Sequence, residues 1–176
     1  MKIRISRIMI ENKVRFIIQD SETFQIMVAL SIYEAYLSNK LESHNSVYDS
    51  IQKLSYLFEW ANLININIDS ILMQGEMILP KHVNSFGAWL RQKPKIQGKG
   101  LIKPETINSI LIVTSVAFRW FAKQYVSLDC RASERSIYLT MYEDSITNQF
   151  SEQLSKVRKN PIADDLTEEE ILKIEQ

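Results

Sequence analysis

The sequence predicts a mainly α-helical fold, a bundle of four to five helices behind a short N-terminal β-hairpin. Three observations lead there. Only four glycines and four prolines occur in 176 residues, whereas a many-stranded sandwich needs a turn every ~8–12 residues. Apolar residues recur at spacings of three and four along most of the chain, the 3.6-residue period of a helix with one buried face. Only the first eighteen residues break this pattern, and they are rich in β-branched and aromatic types.

Residues 3–10 (IRISRIMI) and 14–18 (VRFII) read as two strands joined by Glu11-Asn12-Lys13. Helical spacing then begins at Thr23 and runs to Leu41 through Ile26, Leu30, Tyr33 and Leu37. A second helix is predicted from Ser46, with Asp49 three residues on as the partner in a capping box. Its face is Ile51, Leu54, Leu57, Phe58 and Ala61, and the Asn-rich run 62–67 stops it because Asn competes for backbone hydrogen bonds. Residues 69–79 hold at most one short helical turn. Pro80 suits the first turn of a third helix, having no N–H to leave unpaired; Val83, Phe86, Trp89 and Leu90 are its core face. A polar loop, 91–103, leads to Pro104 and a fourth helix to about Val126, whose wide apolar stripe makes it the central one. A fifth helix is expected over 132–157, with a narrow stripe of Tyr138, Tyr142, Ile146, Phe150 and Leu154. Trp60, Trp89, Trp120, Phe86 and Phe118 follow helical spacing and are assigned to the core. Thr167, followed by three glutamates, marks the N-terminus of another helix.

Formal net charge is zero, 21 basic against 21 acidic residues, which by itself argues against a nucleic-acid binder. The distribution is uneven. Lys81, Arg91, Lys93, Lys95, Lys99 and Lys103 lie in a stretch without Asp or Glu, while 160–176 is acidic. The lone Cys130 allows no intrachain disulfide and no thiolate cluster, which suits a reducing, cytoplasmic compartment. Lys2, Arg4 and Arg7 interrupt the N-terminal apolar run, unlike a signal peptide, and no membrane span is expected.

Catalytic constellations are missing from the pattern. His44 and His82 form no zinc-binding pair, and Gly98-Lys99-Gly100 falls short of a phosphate loop. Glu143-Asp144 and Asp164-Asp165 read as solvated surface. No cofactor and no metal are expected, and the chain by itself is not read as an enzyme.

The order of motifs carries more. A helix led by Ser46 with Leu54, Leu57 and Trp60 comes first. A helix with Val83, Phe86 and Trp89-Leu90 and a basic loop follows, then KPETINSIL at 103–111 with Phe118 and Trp120. Lys159-Asn160-Pro161 and Leu166-Thr167-Glu168-Glu169-Glu170-Ile171 close the series. This order resembles the SAM-like, core-binding domain of tyrosine recombinases and phage-type integrases, over most of residues 14–171. Two positions depart from it: Ser109 and Ser115 stand where the family carries arginines.

The resemblance implies an arm (1–22), a helical core-binding domain (23–160, with 131–157 as an extra helix), and a linker (161–176) that starts a catalytic domain. It implies DNA recombination and integration by a parent enzyme that breaks and rejoins strands. It also implies a clamp on double-stranded DNA, with the second and fourth helices toward the major groove and self-association through 131–157. The candidate contacts are Ser46 and Lys53, then Arg91, Lys93, Lys95, Lys99 and Lys103 on the loop, and Thr106 and Asn108. Loop lysines neutralise phosphates and release counterions, a helix N-terminus offers N–H groups to phosphate, and Asn pairs with adenine edges. Ser46 and Thr106 are also expected to cap their helices. The alternative is a helical protein-interaction module, with the basic loop incidental and a partner on the Tyr138–Leu154 stripe.

Overall fold

Strands β1 (Ile3–Ile10) and β2 (Lys13–Asp20) pair antiparallel, with Ile5 opposite Ile18 and Ile10 opposite Lys13. The computed structural model describes residues 2–41, 43–95, 100–126 and 132–155. The two-residue connection, Glu11 at φ 49° and Asn12 at φ 62°, is the left-handed turn that matches the twist of a hairpin. Alternation then decides what is buried: Val14, Phe16, Ile18 and Asp20 of β2 face inward and enter the core or its edge.

Six helices are found among the described residues: α1 (Val28–Lys40), α2 (His44–Leu63), α3 (Ile68–Met73), α4 (Pro80–Gln92), α5 (Pro104–Tyr125) and α6 (Ala132–Ser151). The mainly helical class and the hairpin are as the sequence predicts; the helix count is higher by α3. Helix α1 starts later than its periodicity suggests. Residues 20–27 extend the hairpin instead: Asp20 accepts from the N–H groups of Glu22 and Thr23, and the Met27 N–H donates to Ile18 O at 3.0 Å. Helix α2 starts earlier than expected. Its cap is Ser43, whose hydroxyl accepts from the Ser46 N–H, so Ser46 is a recipient of the cap and not its source. Asp49 forms no capping box; it pairs with Lys53 one turn along.

Two short C-terminal motifs explain the chain reversals around α3. Asn65, at φ 56°, follows α2, and Ile66 N–H returns to Ala61 O at 2.9 Å; Gly75, at φ 64°, follows α3, and Glu76 N–H returns to Ile71 O at 3.0 Å. Both are Schellman closures, which need a left-handed residue just past the helix. A Cβ on Gly75 would also sit 2.8 Å from the Val126 backbone N, so the glycine is required twice over.

Helix α5 is the centre, packing against α2, α3, α4 and α6. Ile107, Ile110, Leu111, Ala117, Phe118 and Phe121 are buried along it. Trp60, Phe86 and Phe118 lie in the core as expected, whereas Trp89 and Trp120 are partly buried against its edge. Trp120 stacks on Tyr36 at 4.6 Å, and burial pushes the neighbouring Tyr33 phenol up to about 12.

Helix α6 lies antiparallel to α5, with Lys123 paired to Glu143 near one end and Phe118 facing Phe150 nearer the other. Tyr142, Ile146 and Phe150 are buried in this contact, each side chain contributing about 1.5–3 kcal/mol. The Tyr142 hydroxyl, raised in pKa by burial, donates to Glu76 O at 3.1 Å. The helix ends at Ser151 rather than 157, and residues 156–176, which include the Asn-Pro and the Thr167 helix start, lie outside the described residues.

Among the described residues the most deeply buried charged side chain is on α1. Glu34 of α1 is 2% exposed. Its carboxylate accepts from Arg15 Nε, from Arg15 Nη2 at 2.8 Å, from the Phe16 N–H and from the Ser38 hydroxyl. That network fastens the hairpin to the bundle, and the guanidinium of Arg15 is raised in pKa by it.

Candidate nucleic-acid interface

The loop between α4 and α5 is not a loose tether at its ends. Lys93 and Lys95 on one side pair with Gly100 and Ile102 on the other: Lys95 N–H donates to Gly100 O at 3.0 Å and Ile102 N–H to Lys93 O at 3.1 Å. The pairing folds the chain back so that α5 starts beside the end of α4. Lys103 takes the N-cap position of α5 without any side-chain cap, and Pro104 occupies N1. Thr106 does not cap the helix, because it already lies within the first turn, and it is exposed.

The cations divide by partner. Lys93 is half-buried, 2.6 Å from Glu59 Oε2 on α2, with its ammonium 4.3 Å from the centre of the Trp89 ring. An ammonium held by a carboxylate and an aromatic face is not a free phosphate contact. Lys53 is likewise committed to Asp49 at 2.5 Å. Arg91 donates to Gln153 O at 2.6 Å; it is exposed, and its acceptor is a neutral carbonyl and not a carboxylate. Lys95 and Lys103 enter no ion pair among the described residues, and Lys99 lies outside them.

Asn108 has the opposite fate to the one expected. Its side-chain NH2 donates to Ser155 O and its Oδ1 accepts from the Ser155 N–H, both at 2.9 Å. The amide edge that would read an adenine is filled by backbone. Arg91 and Asn108 therefore converge on one short segment, 153–155, which also binds Asn84 through the Gln153 amide at 2.7 Å. Gly87 permits this close approach: a Cβ there would lie 2.7 Å from Gln153 Oε1.

Ser46 and Lys53 are not brought to this place. Ser46 stands about 20 Å along α2 from Glu59 at ~1.5 Å per residue. What the start of α5 offers is Lys103 at the N-cap and two first-turn N–H groups, those of Glu105 and Thr106, that have no intrahelical acceptor, with the Glu105 carboxylate in the same turn. Sequence reasoning missed Glu59, Gln153 and Ser155. The i, i+3 spacing of Tyr56 and Glu59 on α2 was the available signal, since it puts a ring and a carboxylate on one face.

No helix among the described residues is long and apolar enough to cross a membrane. No protein-family model, curated protein or solved structure matches the chain.

Proposed function

We propose that the chain is a duplex-DNA-binding module, the SAM-like core-binding part of a tyrosine recombinase. In this reading strand breakage and rejoining belong to a catalytic domain entered through 161–176, and the protein works in the cytoplasm. The observation that carries the reading is the start of α5. Its first turn is uncapped by any side chain, Lys103 is its N-cap residue, and neither Lys95 nor Lys103 has an ion pair among the described residues, with Glu105 the acidic residue of that turn. Backbone N–H groups at a helix start beside lysines form a phosphate site.

Compared with the expectation from sequence, this contact is narrower. With Asn108 and Lys93 committed internally, binding rests on phosphates, which position a protein without reading bases. Two to three phosphate contacts give a salt slope of about 2–3 at ~0.9 per contact. The test is fluorescence anisotropy of a labelled 30-base-pair duplex over a salt series. Lys95→Gln with Lys103→Gln is expected to lower the slope by about 2 and to leave the Lys93–Glu59 pair intact. Unchanged affinity and slope in that double variant would remove the assignment.

A second reading, a protein-interaction or self-association module, is favoured by Ile137 and Met141. These are 62% and 64% exposed and one turn apart on α6. The Tyr138–Leu154 stripe does not serve it, because Tyr142, Ile146 and Phe150 are spent on the bundle.

A further inference from the structure

We propose that the free edge of β1 takes up an extended acidic peptide of a partner protein as a further strand of the hairpin. This does not rest on the nucleic-acid reading. The backbone shows which edge is open. On β2, the Asp20 N–H donates to Gln25 O, the Ile18 carbonyl accepts from the Met27 N–H, and the Phe16 N–H donates to the Glu34 carboxylate. Those groups point away from β1, so their opposites Ile3, Ile5 and Arg7 sit in the non-hydrogen-bonded pairs of the ladder. Alternation adds Met9, opposite Val14. The N–H and C=O groups of Ile3, Ile5, Arg7 and Met9 therefore face outward, and no hydrogen bond answers them among the described residues. Arg7 is exposed and Met9 is 63% exposed. Strand β1 holds no proline, so nothing interrupts this row of donors and acceptors.

Charge selects the occupant. Lys2, Arg4, Arg7 and Lys13 enter no ion pair among the described residues, whereas Arg15 is matched by Glu34. The carboxylates of the hairpin stand at its ends: Glu11 in the turn, and Asp20 turned to the N–H groups of Glu22 and Thr23. Arg4 and Arg7 lie on opposite faces of the strand, because side chains alternate. An antiparallel peptide with carboxylates at the same spacing sets one against each arginine. A second copy of β1 would instead bring its own arginines onto the seam, which like-charge repulsion disfavours. A phosphate backbone would answer the arginines and the outward N–H groups but leave the outward carbonyls facing its negative charge. A peptide strand supplies donors and acceptors together.

The test titrates the full chain with a blocked octapeptide of alternating valine and threonine, with glutamate in place of its third and sixth residues, followed by NMR. Saturable shifts and slowed hydrogen exchange are expected at the Ile3, Ile5, Arg7 and Met9 amides, with little change at Arg4, Ser6 and Ile8. Replacing both glutamates by glutamine should weaken binding about fivefold, for two lost cross-strand charge pairs. Arg4→Gln with Arg7→Gln should remove that preference. Two N-methylated peptides separate strand addition from charge alone. With the third residue opposite Arg7, the odd amides of the peptide face β1; methylating those should abolish binding, and methylating the even amides should preserve it. No saturable shift, equal binding of the two methylated forms, or equal binding of the glutamate and glutamine peptides overturns the proposal. So does a DNA duplex that shifts the same amides where the peptide does not, the mark of a nucleic-acid contact only.

Discussion

The hairpin and the end of α6 are both fastened to the bundle by polar groups, and the two seams are built on different chemistry. At the N-terminal seam a buried carboxylate, Glu34, gathers a guanidinium, a backbone N–H and a hydroxyl. At the C-terminal seam neutral amides at the surface, Asn108 and Gln153, are matched with backbone and with Arg91. A buried charge is costly to leave unpaired, so the first seam has a high penalty for any lost partner. The second can exchange each protein bond for one with water, so its partners can be removed at smaller cost.

That contrast sets the order of effects. Glu34→Ala strands the Phe16 N–H and a half-buried Arg15. It should destabilise the protein by roughly 2–4 kcal/mol, read as a fall in urea midpoint at constant m-value. If the loss is below what Asn108→Ala causes, the two seams are not distinguished by buried charge. Asn108→Ala removes the paired bonds to Ser155 and should cost about 1–2 kcal/mol. Its more telling readout is local: hydrogen exchange at the Ser155 amide should quicken, while on the proposed reading duplex affinity stays within twofold, because the Asn108 amide is already paired with the Ser155 backbone.

A third junction lies between these in kind. Asp69 of α3 accepts from the Ala29 N–H at 2.9 Å and so caps α1 from outside it. Burial raises its pKa more than this bond lowers it. The folded protein then holds the Asp69 proton to higher pH than the unfolded chain does. Stability from this group is therefore gained as pH falls through the raised value toward the ordinary carboxylate range, and is smallest above it. Asp69→Ala should cost about 1 kcal/mol as a lost cap. Asp69→Asn keeps an acceptor without the charge, so it should be neutral or stabilising at pH 7 and abolish that pH dependence. Thermal melts between pH 4 and 7 check both.

Much of the fold was legible because it depends on local signals. Pro80 and Pro104 open α4 and α5 where the chain says they should, and the apolar stripe of α5 marks it as central. The Asn run that ends α2 acts through one residue, Asn65, in a left-handed conformation. Boundaries failed where a partner distant in sequence decides them. Residues 23–27 have helical spacing yet follow β2, because the Ile18 carbonyl claims the Met27 N–H. Helix α6 ends at Ser151, where Asn108 and Arg91 capture the segment that follows. The site was legible only as composition. A charge run shows how many cations there are, and Glu59 and Gln153, far along the chain, determine which of them are left facing solvent.

The spacing of those partners along the chain has a consequence for how the molecule assembles. Arg15 and Glu34 are 19 residues apart, whereas Arg91 meets Gln153 across 62 and Tyr142 meets Glu76 across 66. Closing the longer loops costs about 1 kcal/mol more in chain entropy. The antiparallel hairpin and α1 can therefore form as a local unit, with α6 arriving late on a surface already made by α4 and α5. A late-docking helix governs how fast the native state opens more than how fast it forms. Were the C-terminal seam to form after the transition state, weakening it would speed the opening of the native protein more than it slows folding.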